Sequence, residues 1–313
     1  LDRSLVLPVL HALQGHPESG KLWEKHITAI LRLPQFGFKS TTHDRSMYSA
    51  TFEGTRMLLL RQVDDFAVVC PNEDIAKRLC DQIGKALQLP SEDTPPFKYL
   101  GLINDFNGLD IAQCSDAIKL SCEKYIDSVL TTHGWSKPSP PVPSKPFAPL
   151  HVDAVTSLYA HQGLPENTAE LAAPVAKYGF AYHTLLGKVL YAYVKCRPDI
   201  GYTIITLSKL STCPHDHHFA MLKKVAKYLQ ATKDWGIIYH RSQPDTSLPP
   251  SNSIRSTMDA ELPDFPTVDT QEPIAFLDAA HANDLRNRRS ITRYAFLLCG
   301  SAISYRCKTQ SIT

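Results

Sequence analysis

The stretch RMLLLRQVDDFAVVC, residues 56–70, sets two apolar runs on either side of adjacent aspartates, Asp64 and Asp65. Both runs are rich in aliphatics and too short for helices, so they predict two buried strands joined as a hairpin. A two-residue hairpin tip prefers Asn-Gly or Asp-Gly, because its turn needs positive φ. Asp-Asp brings no glycine, so turn chemistry alone does not account for it. Two carboxylates about 4 Å apart also repel, by roughly 4 kcal/mol at an effective dielectric near 20. A divalent cation offsets that repulsion, and Mg²⁺ takes oxygen ligands and pairs with substrate phosphates. Aspartates holding a metal at the end of rigid strands are what phosphoryl transfer needs. The plain alternative is a solvated acidic turn, and the hairpin by itself leaves both readings open.

Working outward, 313 residues suit about two domains. Hydrophobic residues make up 43% and charged residues 20%, so most of the chain is expected to fold around apolar cores. A net charge of +2 and a pI near 8.1 are only mildly basic, so a nucleic-acid argument has to rest on local clusters. The eight cysteines are scattered and include no C-x-x-C pair, which predicts reduced intracellular thiols rather than a disulfide framework. No apolar run approaches the roughly 18–20 residues of a membrane span. The chain starts on Leu1 and ends on CKTQSIT, and both ends read as cuts through a longer protein.

Residues 1–135 mix strands and helices. KLWEKHITAILRL (21–33) places Leu22, Ile27, Ile30 and Leu31 at helical spacing. EDIAKRLCDQIGKALQL (73–89) repeats apolar residues every four positions, with Asp74 favouring the helix N-terminus. Residues 99–121 predict a strand, a turn at Asn107-Gly108, then two more strands, and 122–134 a helix ended by Gly134. Residues 136–175 open with the proline-dense SKPSPPVPSKPFAP and read as a linker. Residues 176–240 read as helical, and 241–272, with five prolines, as a second linker. Residues 273–313 read as strand, basic turn, strand, turn, strand.

Five blocks, in order, give the chain a resemblance to the polymerase region of copia-type LTR retrotransposons. RQVDDFAVVC (61–70) is similar to that family's catalytic hairpin, usually Tyr-Val-Asp-Asp. LHALQGHPESGKLWEKHI (10–27) resembles the preceding Y-G-L-K-Q-x-P-R-x-W segment. FKYLGLIND…GLDIAQ…IKLSCEKYIDSVL resembles the F-L-G-x-x-I…G-I-x-L-S-Q-x-K-Y-I block that follows. YHTLLGKVLYAYVKCRPDIGYTIITLSKL (182–210) resembles the Y-R-x-x-x-G-x-L-x-Y…T-R-P-D-I block, and FLDAAHAND…RRSITRYAFLLCGSAISYRCKTQ the opening of the family's RNase H.

The resemblance implies an α+β fold: a right-hand polymerase palm/thumb portion (1–135), a helical connection region (176–240), then the first strands of an RNase H-like domain (273–313). It implies RNA-directed DNA synthesis from dNTPs on a primer–template, with Mg²⁺ or Mn²⁺ as cofactor and RNase H adjoining. It makes Asp64 and Asp65 the catalytic and metal-binding acids of the palm, with Asp64 the principal ligand. Gln14 and Gly15 would lie near the incoming nucleotide, and Tyr99, Leu100 and Gly101 where the primer end is gripped. Asp278 matches the first metal-binding aspartate of RNase H. The remaining partner would be the rest of the Pol polyprotein. The location would be intracellular and cytoplasmic, inside a virus-like particle in the intact family, with no membrane.

The chain departs from the pattern at several points. Gln62 stands where the hairpin usually has tyrosine, Ala280 where RNase H often has a second aspartate, and His281 where it has tryptophan. The polymerase's other aspartate belongs to a strand upstream of the Gln14 block, and Asp2 is too close to that block to be it. RNase H needs four acids, and Asp278 is the one that matches. The isolated chain is therefore expected not to polymerise. A non-catalytic nucleic-acid-binding remnant of a decayed element is the alternative, and an unrelated metal-dependent hydrolase would leave the block order unexplained.

Two basic clusters fit a nucleic-acid partner. Lys223, Lys224 and Lys227 lie off the apolar face marked by Phe219, Leu222, Val225, Ala226 and Leu229, as a stripe able to follow a phosphate backbone. Arg286, Arg288, Arg289 and Arg293 fall within eight positions around the last basic turn, placed to meet an RNA–DNA hybrid. Each could equally be a solvated face. HDHH (215–218) lacks the cysteine partners of usual Zn²⁺ spacings and reads as a helix start with partly exposed histidines. Trp23, Trp135 and Trp235 read as packing residues.

Overall fold

A computed structural model describes residues 15–88, 93, 97–136, 152–161, 171–250, 272–281, 284 and 287–311. The chain divides into two compact units, Leu1–Asn107 and Gly108–Thr313.

In the first unit, helix α1 (Ser19–Leu31) turns Ile27, Ile30 and Leu31 into the core. Strands β1 (Lys39–Ser40), β2 (Met47–Phe52), β3 (Thr55–Gln62) and β4 (Asp65–Val69) form an antiparallel sheet in that order. Period-two alternation decides which face is buried: Met57, Leu59 and Arg61 of β3 point inward. Helix α2 (Glu73–Leu87) starts where the Asn72 side chain accepts the Ile75 N–H at 3.2 Å, with Glu73 and Asp74 in its first turn. Its Leu79 and Ile83 are fully buried with Phe36, Phe38, Tyr48 and Leu59. Each such side chain contributes about 1.5–3 kcal/mol. A two-residue strand, β5 (Asp105–Phe106), ends the unit. The β2 strand and its hairpin to β3 are not among the elements expected from the sequence. Their turn is Glu53-Gly54, both left-handed (φ +48° and +75°), the geometry favoured between twisted strands.

The second unit contains β6 (Leu109–Gln113), β7 (Ala117–Ser121), α3 (Glu123–Thr132), α4 (Val152–Ala160), α5 (Ala172–Tyr178), α6 (Tyr182–Lys195), a 3₁₀ turn at Pro198–Ile200, α7 (Gly201–Ser208), α8 (Asp216–Ala231), β8 (Gly236–His240), β9 (Ile274–Ala280), β10 (Ile291–Leu298) and β11 (Ser301–Thr309). Helix α3 ends as expected around Gly134 (φ +68°). The Gly134 and Trp135 N–H groups close back on the Thr131 and Leu130 carbonyls. Residues of α3, α6, α7 and α8 build the core, joined by Ile291 and Cys307 of the C-terminal strands. Those strands form a second sheet in the order β11-β10-β9, antiparallel throughout. Tyr305 donates to the Tyr193 carbonyl at 2.8 Å, and the Cys307 N–H to the Tyr193 hydroxyl at 2.8 Å, so β11 is fastened to α6.

Helices with antiparallel sheets agree with the α+β expectation at that level. Some details differ. The segment read as uniformly helical, 176–240, ends in a strand: Gly236–His240 pairs with β7, Ile237 opposite Leu120 and Tyr239 opposite Ile118. Gly236 is required there, since a Cβ at that position would overlap the Leu120 carbonyl. The unit boundary at Asn107 falls inside the segment 1–135, because this pairing draws β7 toward residues more than a hundred positions later. The segment 136–175 holds α4 and the start of α5 in its described part, while its proline-dense stretch lies outside the described residues beyond Ser136.

Candidate functional site

The acidic hairpin forms as β3 and β4, paired from Leu58↔Val69 to Gln62↔Asp65. Its tip is Val63-Asp64, not Asp64-Asp65. Asp65 opens β4 inside the ladder, whereas Asp64 stands outside it, and both acids are exposed. Val63 takes the left-handed conformation, φ +57°, that this tight turn demands in the absence of glycine. For a β-branched residue that conformation is a genuine outlier. Two side chains meet its carbonyl. Trp23 Nε1 of α1 donates at 2.7 Å and Arg61 Nη1 of β3 at 3.3 Å. Arg61 is only 8% exposed and lies 4.0 Å from Glu24 of α1. These contacts were not read from the sequence. The available signal was Arg61, a cation at an inward-facing position of an otherwise apolar strand.

Elsewhere in the first unit, Gly15 is exposed and left-handed (φ +87°), and Gln14 lies outside the described residues. Tyr99 donates its hydroxyl to Glu73 Oε1 at 3.1 Å. Partial burial and the Glu73 carboxylate both raise its phenol above the ordinary range. Leu100 is 92% exposed, and Gly101 is left-handed at φ +87°.

In the second unit, Asp278 sits mid-strand on β9 opposite Arg293, with Arg293 Nε 3.3 Å from Asp278 Oδ2. The Arg293 guanidinium also lies over the Tyr202 ring, 4.5 Å from its centroid. Arg288 and Arg289 follow Asp284, whose backbone carbonyl accepts the Arg288 N–H and whose N–H donates to the Arg289 carbonyl. Arg286 lies outside the described residues. Asp284 is itself 1% exposed and meets Lys209 Nζ at 3.3 Å.

The lysine stripe of α8 is divided. Lys224 and Lys227 are exposed, but the Lys223 ammonium lies over the Trp135 ring, 3.0 Å from its centroid. Partial burial, helped by Lys227, pushes Lys223 down to about 8. In HDHH, His218 is buried rather than partly exposed. Its Nδ1 accepts the His215 N–H at 2.9 Å, and its Nε2 faces the Leu158 carbonyl at 2.8 Å, the pattern of a neutral imidazole. Burial accordingly pulls its pKa down. These histidines cap a helix, and among the described residues no group of three or more His, Cys, Asp or Glu is arranged to hold a metal ion.

The acidic hairpin lies inside the segment that matches a known family. Residues 4–141 match the family described as reverse transcriptase (RNA-dependent DNA polymerase). Over that segment the chain is similar to a reverse transcriptase domain. It is 24% identical over 311 residues to the Retrovirus-related Pol polyprotein from transposon TNT 1-94 of Nicotiana tabacum, covering 98% of this chain and 20% of that one. It is 24% identical over 233 residues to the putative transposon Ty5-1 protein of Saccharomyces cerevisiae, covering 72% of this chain and 65% of the relative. A third relative, secreted RxLR effector protein 161 of Plasmopara viticola, is 28% identical over 129 residues, 41% of this chain and 72% of its own length. The chain thus spans about a fifth of the tobacco polyprotein. No solved structure matches. The resemblance to retrotransposon Pol polyproteins is borne out by these relatives. Among the described residues, no helix is long and apolar enough to cross a membrane.

Proposed function

We propose that this reverse transcriptase segment comes from a copia-type Pol polyprotein and contributes Asp64 and Asp65 as divalent-metal ligands for RNA-directed DNA synthesis. One observation carries the reading: inside the matched segment, an antiparallel hairpin presents two exposed carboxylates at and beside its tip. Oxygen-only ligands on a solvent-facing turn suit Mg²⁺ or Mn²⁺. Such an ion, when bound, would acidify the attacking hydroxyl and neutralise charge on the transferring phosphate. The chain's own residues orient it and leave room for substrate. Asp64 projects from the turn, Asp65 anchors the first rung of β4, and Gln14 and Gly15 belong with the incoming dNTP. Tyr99, Leu100 and Gly101 offer an exposed apolar surface to the primer end, and Lys224, Lys227, Arg288 and Arg289 offer charge to the primer–template. Asp278 is the matching acid of an adjoining RNase H-like sheet.

The test is Mn²⁺ binding to the purified chain, followed by electron paramagnetic resonance. Replacing Asp64→Asn together with Asp65→Asn should weaken binding at least tenfold. Identical isotherms for the wild type and the double variant would overturn the assignment. Because the described residues add no third carboxylate or imidazole to this turn, primer extension by the chain alone should stay at background. Mg²⁺-dependent dNTP incorporation abolished by Asp64→Asn would refute that second expectation while keeping the first.

A further inference from the structure

Trp23 and Arg61, we propose, are positioning residues that fix the direction of Asp64 by clamping the Val63–Asp64 peptide. This rests on the reading of Asp64 as a metal ligand. Val63 is 60% exposed, so burial of its side chain does little to hold it in the left-handed region. A non-glycine residue there costs about 1–3 kcal/mol and persists only where its surroundings over-determine it. Here the over-determination is visible. A neutral N–H donor from Trp23, forty positions earlier, and a cationic donor from Arg61 converge on one carbonyl oxygen.

The carbonyl of Val63 and the N–H of Asp64 share one planar peptide. Fixing the oxygen therefore fixes the plane from which Asp64 springs. Asp65 needs no such device, because the ladder pairs it with Gln62. Asp64 lies outside the ladder, so the clamp is what sets its backbone. Both donors also lead back to α1. Trp23 is part of that helix and packs against the first unit's core, and Arg61 lies 4.0 Å from Glu24. Helix α1 thus holds the acidic turn through a tryptophan and a buried arginine rather than through the strands alone.

Trp23→Phe keeps an aromatic ring and removes the donor, whereas 5-fluorotryptophan keeps the N–H. In the full chain, NMR relaxation of the Asp64 amide should fall from a rigid order parameter near 0.85 to below about 0.6 in Trp23→Phe. Mn²⁺ affinity should drop at least threefold. The fluorotryptophan protein should match the wild type in both. Gly54, in the neighbouring β2–β3 turn, is the internal reference. If its amide also changes, the variant has lost the fold, and Arg61→Lys, which keeps the charge but loses the fork, takes its place. An unchanged Asp64 order parameter in whichever variant keeps Gly54 in place would overturn the clamp. Wild-type protein with no Mn²⁺ signal would overturn the metal reading instead, leaving the relaxation result to decide the clamp separately.

Discussion

Asp64 and Asp278 are both exposed carboxylates on antiparallel sheets, yet they are held in opposite ways. Asp64 is fixed through its backbone: the strained Val63 peptide beneath it takes hydrogen bonds from Trp23 and Arg61. Asp278 is in relaxed strand geometry, and its side chain is engaged by Arg293. A carboxylate left free at its oxygens, on an immobilised backbone, is prepared to bind a cation. One already paired with a guanidinium has to exchange partners first. The sheet of Asp278 draws its own fixation from elsewhere, through the Tyr193 contacts and the Lys209–Asp284 pair.

The largest effect should come from breaking that last anchor. Asp284 is 1% exposed and the Lys209 side chain 10% exposed, so the pair is shielded from water. Lys209→Met breaks this shielded ion pair, and breaking a buried pair by removing one partner typically costs about 3–5 kcal/mol. Urea unfolding should show a loss of about 3 kcal/mol, with much of it restored by adding Asp284→Asn. A loss below about 1 kcal/mol would place the pair with solvent-screened ion pairs and remove it as the anchor. The hairpin should respond in the opposite direction. Val63→Gly relieves the left-handed conformation and should stabilise the chain by about 1 kcal/mol, since glycine visits that region freely. A destabilised Val63→Gly would mean that the valine side chain, not the two donors, holds the turn.

Much of the first anchor was legible in the sequence and much was not. The hairpin could be read because alternation and paired acids are local patterns, and so could α2, α3 and α6. Strand β2 escaped because MYSATF carries two polar residues, Ser49 and Thr51, and the small Ala50 in six, and its turn signal was a single Gly54. Strand β8 escaped because GIIYH follows a long helix and its partner β7 lies over a hundred residues earlier. The paired acids singled out Asp64 and Asp65 and the family resemblance added Asp278 as a candidate, but no spacing rule could show that Trp23 reaches Val63 or that Lys209 meets Asp284. Those pairs are made by tertiary folding across forty and seventy-five positions. The lysine stripe was legible as charge, yet the position of Lys223 over Trp135 depended on where the Schellman turn after α3 placed that ring.

The smallest effect should come from Asp278 itself. Its side chain is 64% exposed and that of Arg293 37%, so solvent screens the pair. Exposed ion pairs contribute about 0–1 kcal/mol. Arg293 also keeps its place over Tyr202 without the carboxylate, a contact of about 0.5–1 kcal/mol at such a site. Asp278→Asn is isosteric and leaves the strand pairing untouched. It should change stability by less than about 1 kcal/mol, and it should leave Mn²⁺ binding at the hairpin unchanged. A loss of several kcal/mol on thermal or urea unfolding would instead make Asp278 a structural acid. The contrast would then invert: Asp64 would be the carboxylate kept free for chemistry, and Asp278 one retained to hold β9 against β10.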